Sequence, residues 1–108
     1  MLINCTPHTI KIVGMGELPP SGHQVRIEMV EIITNDLVGG VTVITRKPGL
    51  VTGLPRDERG AILPCLVSSM VLDALPAGTK NVYAPDTGAT AIRENGQVVA
   101  VTRLVTKI

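Results

Sequence analysis

Phenylalanine and tryptophan are missing from this chain, and Tyr83 is its one aromatic residue. A core must therefore be assembled from Val, Ile, Leu and Met, and a platform of stacked aromatic rings for single-stranded nucleic acid is excluded. One ring or one arginine plane still suffices to stack on a single base. Cysteine is scarce as well: Cys5 and Cys65 are too few for a disulfide framework and predict free thiols in a reducing compartment. The start, Met1-Leu2-Ile3-Asn4, lacks the basic region and apolar run of a secretory signal. No apolar run approaches the roughly 18 residues of a membrane span. The expectation is a cytoplasmic protein with no membrane partner. An excess of one charge sign is missing too. Ten basic residues against nine acidic give +1, so nothing calls electrostatically for a DNA or RNA duplex or for anionic lipid.

What is present is aliphatic. At 108 residues the chain has the length of a single domain, residues 1–108, with one core. A hydrophobic content of 44% and a mean hydropathy of +0.34 are high for so small a chain. Part of that apolar surface is expected in the interface of a homo-oligomer.

The stretch from Ile62 to Gly88 organises the rest. Leu63, Leu66, Val67, Met70, Val71, Ala74 and Leu75 fall at helical spacing. One parse makes this a long helix with Pro64 as its first residue. The preferred parse makes Ile62 to Val67 a buried strand, with Pro64 at an edge or bulge, and starts the helix at Ser68 or Ser69, which cap its first turn. Pro76 and Gly78 end the helix in either case. A strand then returns over Asn81 to Ala84 and enters the turn Ala84-Pro-Asp-Thr-Gly88. There Asp86 bonds its own backbone two residues on and Gly88 accepts a positive φ. Such a turn is either a tight surface turn or a cradle of amides for an anion or ribose.

Before this stretch, Ile10 and Ile12 flank Lys11 and predict a half-buried strand. Asn4, Thr6, His8 and Thr9 precede it around Pro7, which restricts Thr6 and holds these polar groups in place. Gly14 to Gly22 is a loop by composition, and prolines where a helix would have to follow rule out a phosphate loop. His23 to Ile33 alternates as a strand, broken at Val30 by a bulge or an end. Asn35-Asp36 and Gly39-Gly40 mark a turn into a strand over Val41 to Thr45. Lys47-Pro48-Gly49 reads as a turn, and Leu50 to Gly53 as a short strand. Arg56, Asp57, Glu58 and Arg59 form a charged loop, either a solvated tip or an arginine fork for phosphate or carboxylate. After it, Ile92-Arg93 turns at Asn95-Gly96 into a strand over Gln97 to Val105, whose two apolar faces place it centrally and covered on both sides.

Catalytic constellations are thin. Cys5, Cys65, Ser21, Ser68 and Ser69 are the nucleophiles, and His8 and His23 the bases, but no nucleophile-elbow spacing links them. Cys5 and His8 lack a second pair for zinc, so no metal and no cofactor is expected. His8, between Pro7 and Thr9, is either a solvated side chain or the residue that meets a ligand.

The start NCTPHTIKI, Pro20-Ser-Gly22 followed by Arg26, Gly53-Leu-Pro55, LVSSMV around Ser68, APDTG at Ala84 to Gly88, and Arg93 with Gly96 together resemble a family of small proteins from phages, prophages and bacterial genomes. The resemblance spans nearly the whole chain and carries no catalytic residues. It implies a phage setting, where small non-enzymatic proteins inhibit host defence, some as oligomers that sequester nucleotide signals. The missing aromatics fit that implication poorly.

The expectation is an α+β chain, mostly antiparallel β (a small sheet or partly open barrel) with one short helix. Its leading function is non-enzymatic binding of a small anionic, nucleotide-like ligand. Thr6, His8, Arg26, Arg56, Ser68, Ser69, Asp86, Thr87 and Arg93 are the ligand-binding candidates. The rival functions are a hydrolase or lyase that uses His8 with Asp86 or a serine, and an accessory phage protein with protein partners alone.

Overall fold

The computed structural model describes residues 1–107. Its strands are β1 (Ile3–Asn4), β2 (Ile10–Ile12), β3 (Gly16–Leu18), β4 (Arg26–Val38), β5 (Val41–Thr52), β6 (Cys65–Leu66), β7 (Val82–Pro85), β8 (Ile92–Glu94), β9 (Gln97–Ala100) and β10 (Leu104–Thr106), and its helix is α1 (Ser69–Ala74). The class is α+β with strand dominant, and no closed barrel forms among the described residues.

A four-stranded sheet in the order β1-β6-β7-β10 is the centre. It is mixed. β1 and β7 run parallel to β6, and β10 is antiparallel to β7. The remaining pairs, β2-β3, β4-β5 and β8-β9, are all antiparallel. Strand alternation sends Cys65, Val67, Val82 and Ala84 to one face, where they pack with Val71, Leu72 and Leu75 of the helical segment and with Val25, Ile27 and Val51 at the root of the β4-β5 hairpin. Leu66 and Tyr83 point the other way and meet Ile12, Leu18, Val101 and Leu104. With Tyr83 the one aromatic among them, the branched side chains each contribute about 1.5–3 kcal/mol on full burial.

The short helix follows the preferred parse. Ser68 is extended (φ −68°, ψ 157°) and its Oγ accepts from the Val71 N–H. Pro76 stops the helix after one and a half turns. The strand before it shrinks to Cys65–Leu66, and Pro64 lies just outside, where its carbonyl accepts from the Ile3 N–H.

Four expectations need correction. Gly16–Leu18 is a strand inside the expected Gly14–Gly22 loop, because Ile12 and Leu18 share a buried cluster that draws the segment onto β2. Lys47-Pro48-Gly49 is not a turn. It lies within β5, where a register shift absorbs the extra residue, and the strand runs on to Thr52. The Asn35-Asp36 signal likewise falls in a bulge of β4, and Gly39-Gly40 alone makes the two-residue turn, with φ 59° and 79°. Finally, Gln97 to Val105 is not one central strand. It divides at Thr102 into β9 and β10, β10 lies at a sheet edge, and Val98, Val99 and Val105 are exposed.

Candidate functional site

Among the described residues, Asn4 is the one buried polar side chain, 2% exposed. Its Nδ2 donates to the carbonyls of His8 and Leu18, both at 2.8 Å. Its Oδ1 accepts from the backbone N–H of Thr6 at 3.0 Å and from Thr6 Oγ1 at 2.6 Å. The Asn4 carbonyl accepts from the N–H and the hydroxyl of Ser21. Side chain and backbone of this one buried residue thus fix the Thr6-to-Thr9 loop and the Pro19-to-Gly22 loop against each other.

Between those loops and the root of β4 opens a cleft of about 440 Å³. Thr6, Pro7, Pro20 and Gly22 line it together with His23, Gln24 and Arg26. No carboxylate lines it among the described residues. Gln24 Oε1 accepts from Arg26 Nη2 at 2.9 Å and orients the guanidinium. Gly53 holds the wall from behind: a Cβ at this position would lie 2.0 Å from the Gln24 carbonyl oxygen, and its φ is +88°. Only glycine fits there, which gives the Gly53-Leu-Pro motif a physical reason.

Cys5 also borders the cleft. Burial raises its thiol above the usual value, against hydrogen bonding with Cys65 and Ser21. Cys65, fully buried behind it, is pushed up to about 12 by burial and then by the neighbouring Cys5. Both thiols are protonated at neutral pH and poor nucleophiles.

A second cleft, about 290 Å³, lies on the far side of the same loop. It takes His8, Lys11 and Thr87 together with Val98 and Val99. Thr6 and His8, two residues apart, therefore serve different clefts.

The remaining candidates scatter. Asp86 makes the expected bond to its own backbone, its Oδ1 accepting from the Gly88 N–H at 3.0 Å. Its Oδ2 accepts from Arg103 Nε and Nη2 at 3.1 and 2.9 Å and from Thr90 Oγ1 at 3.4 Å. The Gly88 amide first, then Arg103, hold this carboxyl below its ordinary range. Arg93 donates to the carbonyls of Thr87 and Gly88 and pins the turn. The turn is thus tied internally. Arg56 donates to the Gly60 carbonyl at 2.8 Å, and Asp57 caps the N–H groups of Arg59 and Ala61, so the charged loop closes on itself. The Ser68 hydroxyl is spent as the helix cap, and Ser69 is exposed on the first turn of a six-residue helix.

The sequence marked no role for Arg103, and offered His23 only as a candidate base and Gln24 only as part of a strand. The extended run from His23 into β4 places the latter two beside Arg26 at the cleft, a consequence of strand register that spacing alone does not reveal. No known protein family, curated protein or solved structure gives a match to this chain. No helix among the described residues is long and apolar enough to cross a membrane.

Proposed function

We propose that this chain is a non-enzymatic phage anti-defence protein that binds and sequesters a small anionic, nucleotide-derived immune signal in the host cytoplasm, acting as a homo-oligomer. The observation that carries the reading is the cleft between Thr6 and Arg26. Its volume lies within the roughly 300–1,000 Å³ of small-molecule sites. Its walls offer a guanidinium, an imidazole and an amide, with no carboxylate among the described residues to repel an anion. An arginine fork suits phosphate oxygens, and the His23 imidazole suits a sugar or base edge. The phage setting comes from the resemblance of the motifs alone.

Two features weigh against turnover. The cleft's one thiol is held neutral by burial. Asp86, the acid that a His8 hydrolase would use, has both oxygens engaged by Gly88, Arg103 and Thr90.

Calorimetric titration with nucleoside mono- and diphosphates and cyclic dinucleotides tests the reading. Arg26→Ala removes a bond to a charged group, a loss of about 1.5–3 kcal/mol, or roughly ten- to a hundredfold in affinity. Binding that is unchanged in this variant, or a titrant returned chemically altered, contradicts the proposal.

A further inference from the structure

The hairpin of β4 and β5 leaves the body of the protein soon after its root. Ile27 and Val51 pack on the core, whereas Ile33, Leu37, Val38 and Val41 are each about two-thirds exposed. Both faces of this arm carry exposed apolar side chains beside charged ones. Met29, Ile33 and Ile44 project on one side and Val30 and Ile32 on the other, as the cross-strand register dictates. The radius of gyration is 17.0 Å, where a compact chain of this length has about 13 Å. The accessible surface is 7523 Å², where a compact 11.4 kDa protein exposes about 5,800 Å². The excess, about 1,700 Å², is roughly twice the 800 Å² that each partner contributes to a standard interface and falls in the range of obligate assemblies.

We infer that the β4-β5 arm is a self-association element and that its partner is a second copy of this chain. Charge complementarity favours that partner: Glu31 and Arg46 pair across the hairpin at 3.4 Å yet stay more than half exposed, so each can also meet the opposite charge of a stacked copy. Beyond Arg26, β4 carries Glu28, Glu31 and Asp36 and no cation, while β5 carries Arg46 and Lys47 and no anion. Two arms stacked face to face about a twofold axis along their length set each acidic strand over the partner's basic strand. The arm's edges are poorly suited to adding a strand instead. Pro48 has no N–H to donate, and register shifts interrupt both strands. The faces, not the edges, are what a partner covers. This inference does not depend on the identity of any ligand.

The test is light scattering or sedimentation of the full chain at micromolar concentration, with melting curves for every variant. Wild type is expected as a dimer or larger, and Ile33→Asp/Ile44→Asp as a monomer that keeps a cooperative melt. Glu31→Arg makes the arm's charge pair all-positive and Arg46→Glu makes it all-negative. Each alone weakens self-association about tenfold, and mixing the two restores it. That rescue cannot arise from variants that merely fail to fold. A wild-type monomer of 11.4 kDa, full assembly of the Ile33→Asp/Ile44→Asp variant, or variants that do not rescue each other would each overturn the inference.

Discussion

The side-chain amide of Asn4 donates at 2.8 Å to the carbonyl of Leu18, 14 residues further along the chain. With its bonds to Thr6 and His8 this makes Asn4 the joint between the two loops that flank the Thr6–Arg26 cleft. Replacing it with Leu leaves several of these groups unpaired in a buried place. The expected cost is about 2–4 kcal/mol, seen as a lower midpoint in urea. An unchanged midpoint would mean that water replaces the amide without loss.

Gly53 is the second structural dependency of the cleft. Ala at this position meets both a left-handed φ and the Gln24 carbonyl. Gly53→Ala is expected to destabilise by more than about 2 kcal/mol and to disturb the Gln24–Arg26 wall. Gly39→Ala, at the arm's open turn with nothing near its Cβ, lacks the clash and is expected to cost less. Equal losses in the two variants would remove the argument from close approach.

Asp86 gives a pH signature. Its folded-state pKa lies below the ordinary 3.8, chiefly through the Gly88 N–H and then Arg103. A depressed pKa means stabilisation that is present above the unfolded value and lost as pH falls through the folded one. Wild type should therefore lose stability below about pH 4 more steeply than Asp86→Asn, which starts lower at neutral pH. Parallel melting curves from neutral to acid pH would contradict this role.

Cys65 gives the opposite signature in alkali. Its pKa is raised from 9.0 to about 12 in the folded state. The stabilisation from keeping it neutral is complete below the unfolded value and lost as pH rises from about 9 towards 12. At neutral pH, Ellman's reagent should leave Cys65 unmodified until the protein unfolds. Cys65→Ala should show a flatter alkaline limb in its melting profile. Rapid labelling of two thiols in the native state would refute the assignment.

Local chemistry was legible in the sequence where one residue decides it: Ser68 as cap, Asn95-Gly96 as a hairpin turn, Asp86 bonding Gly88, and the stop at Pro76. It failed where tertiary pairing overrides a turn signal. Pro48-Gly49 is an ordinary turn pair, yet β4 supplies a partner strand across it, so the ladder continues around a bulge. The division at Thr102 was equally hidden, because the apolar pattern on both sides of it is the same. For the site, Thr6 and Arg26 meet at one cleft because Asn4 locks a loop and β4 begins beside it. His8, the most prominent candidate in the sequence, faces the other cleft because residues two apart on a tight loop diverge. Arg93 and Asp86 resembled ligand groups, but their charges are used on the turn's own carbonyls and on Arg103.

The most direct test of the binding account is mass spectrometry of small molecules released when the purified protein is denatured after incubation with a phage-infected cell extract. The account predicts a phosphate-bearing molecule, chemically intact and near one equivalent per cleft, released from wild type and His8→Ala and strongly depleted in Arg26→Ala. Release of nothing anionic from wild type, equal release from Arg26→Ala, or recovery of only a cleavage product would contradict it.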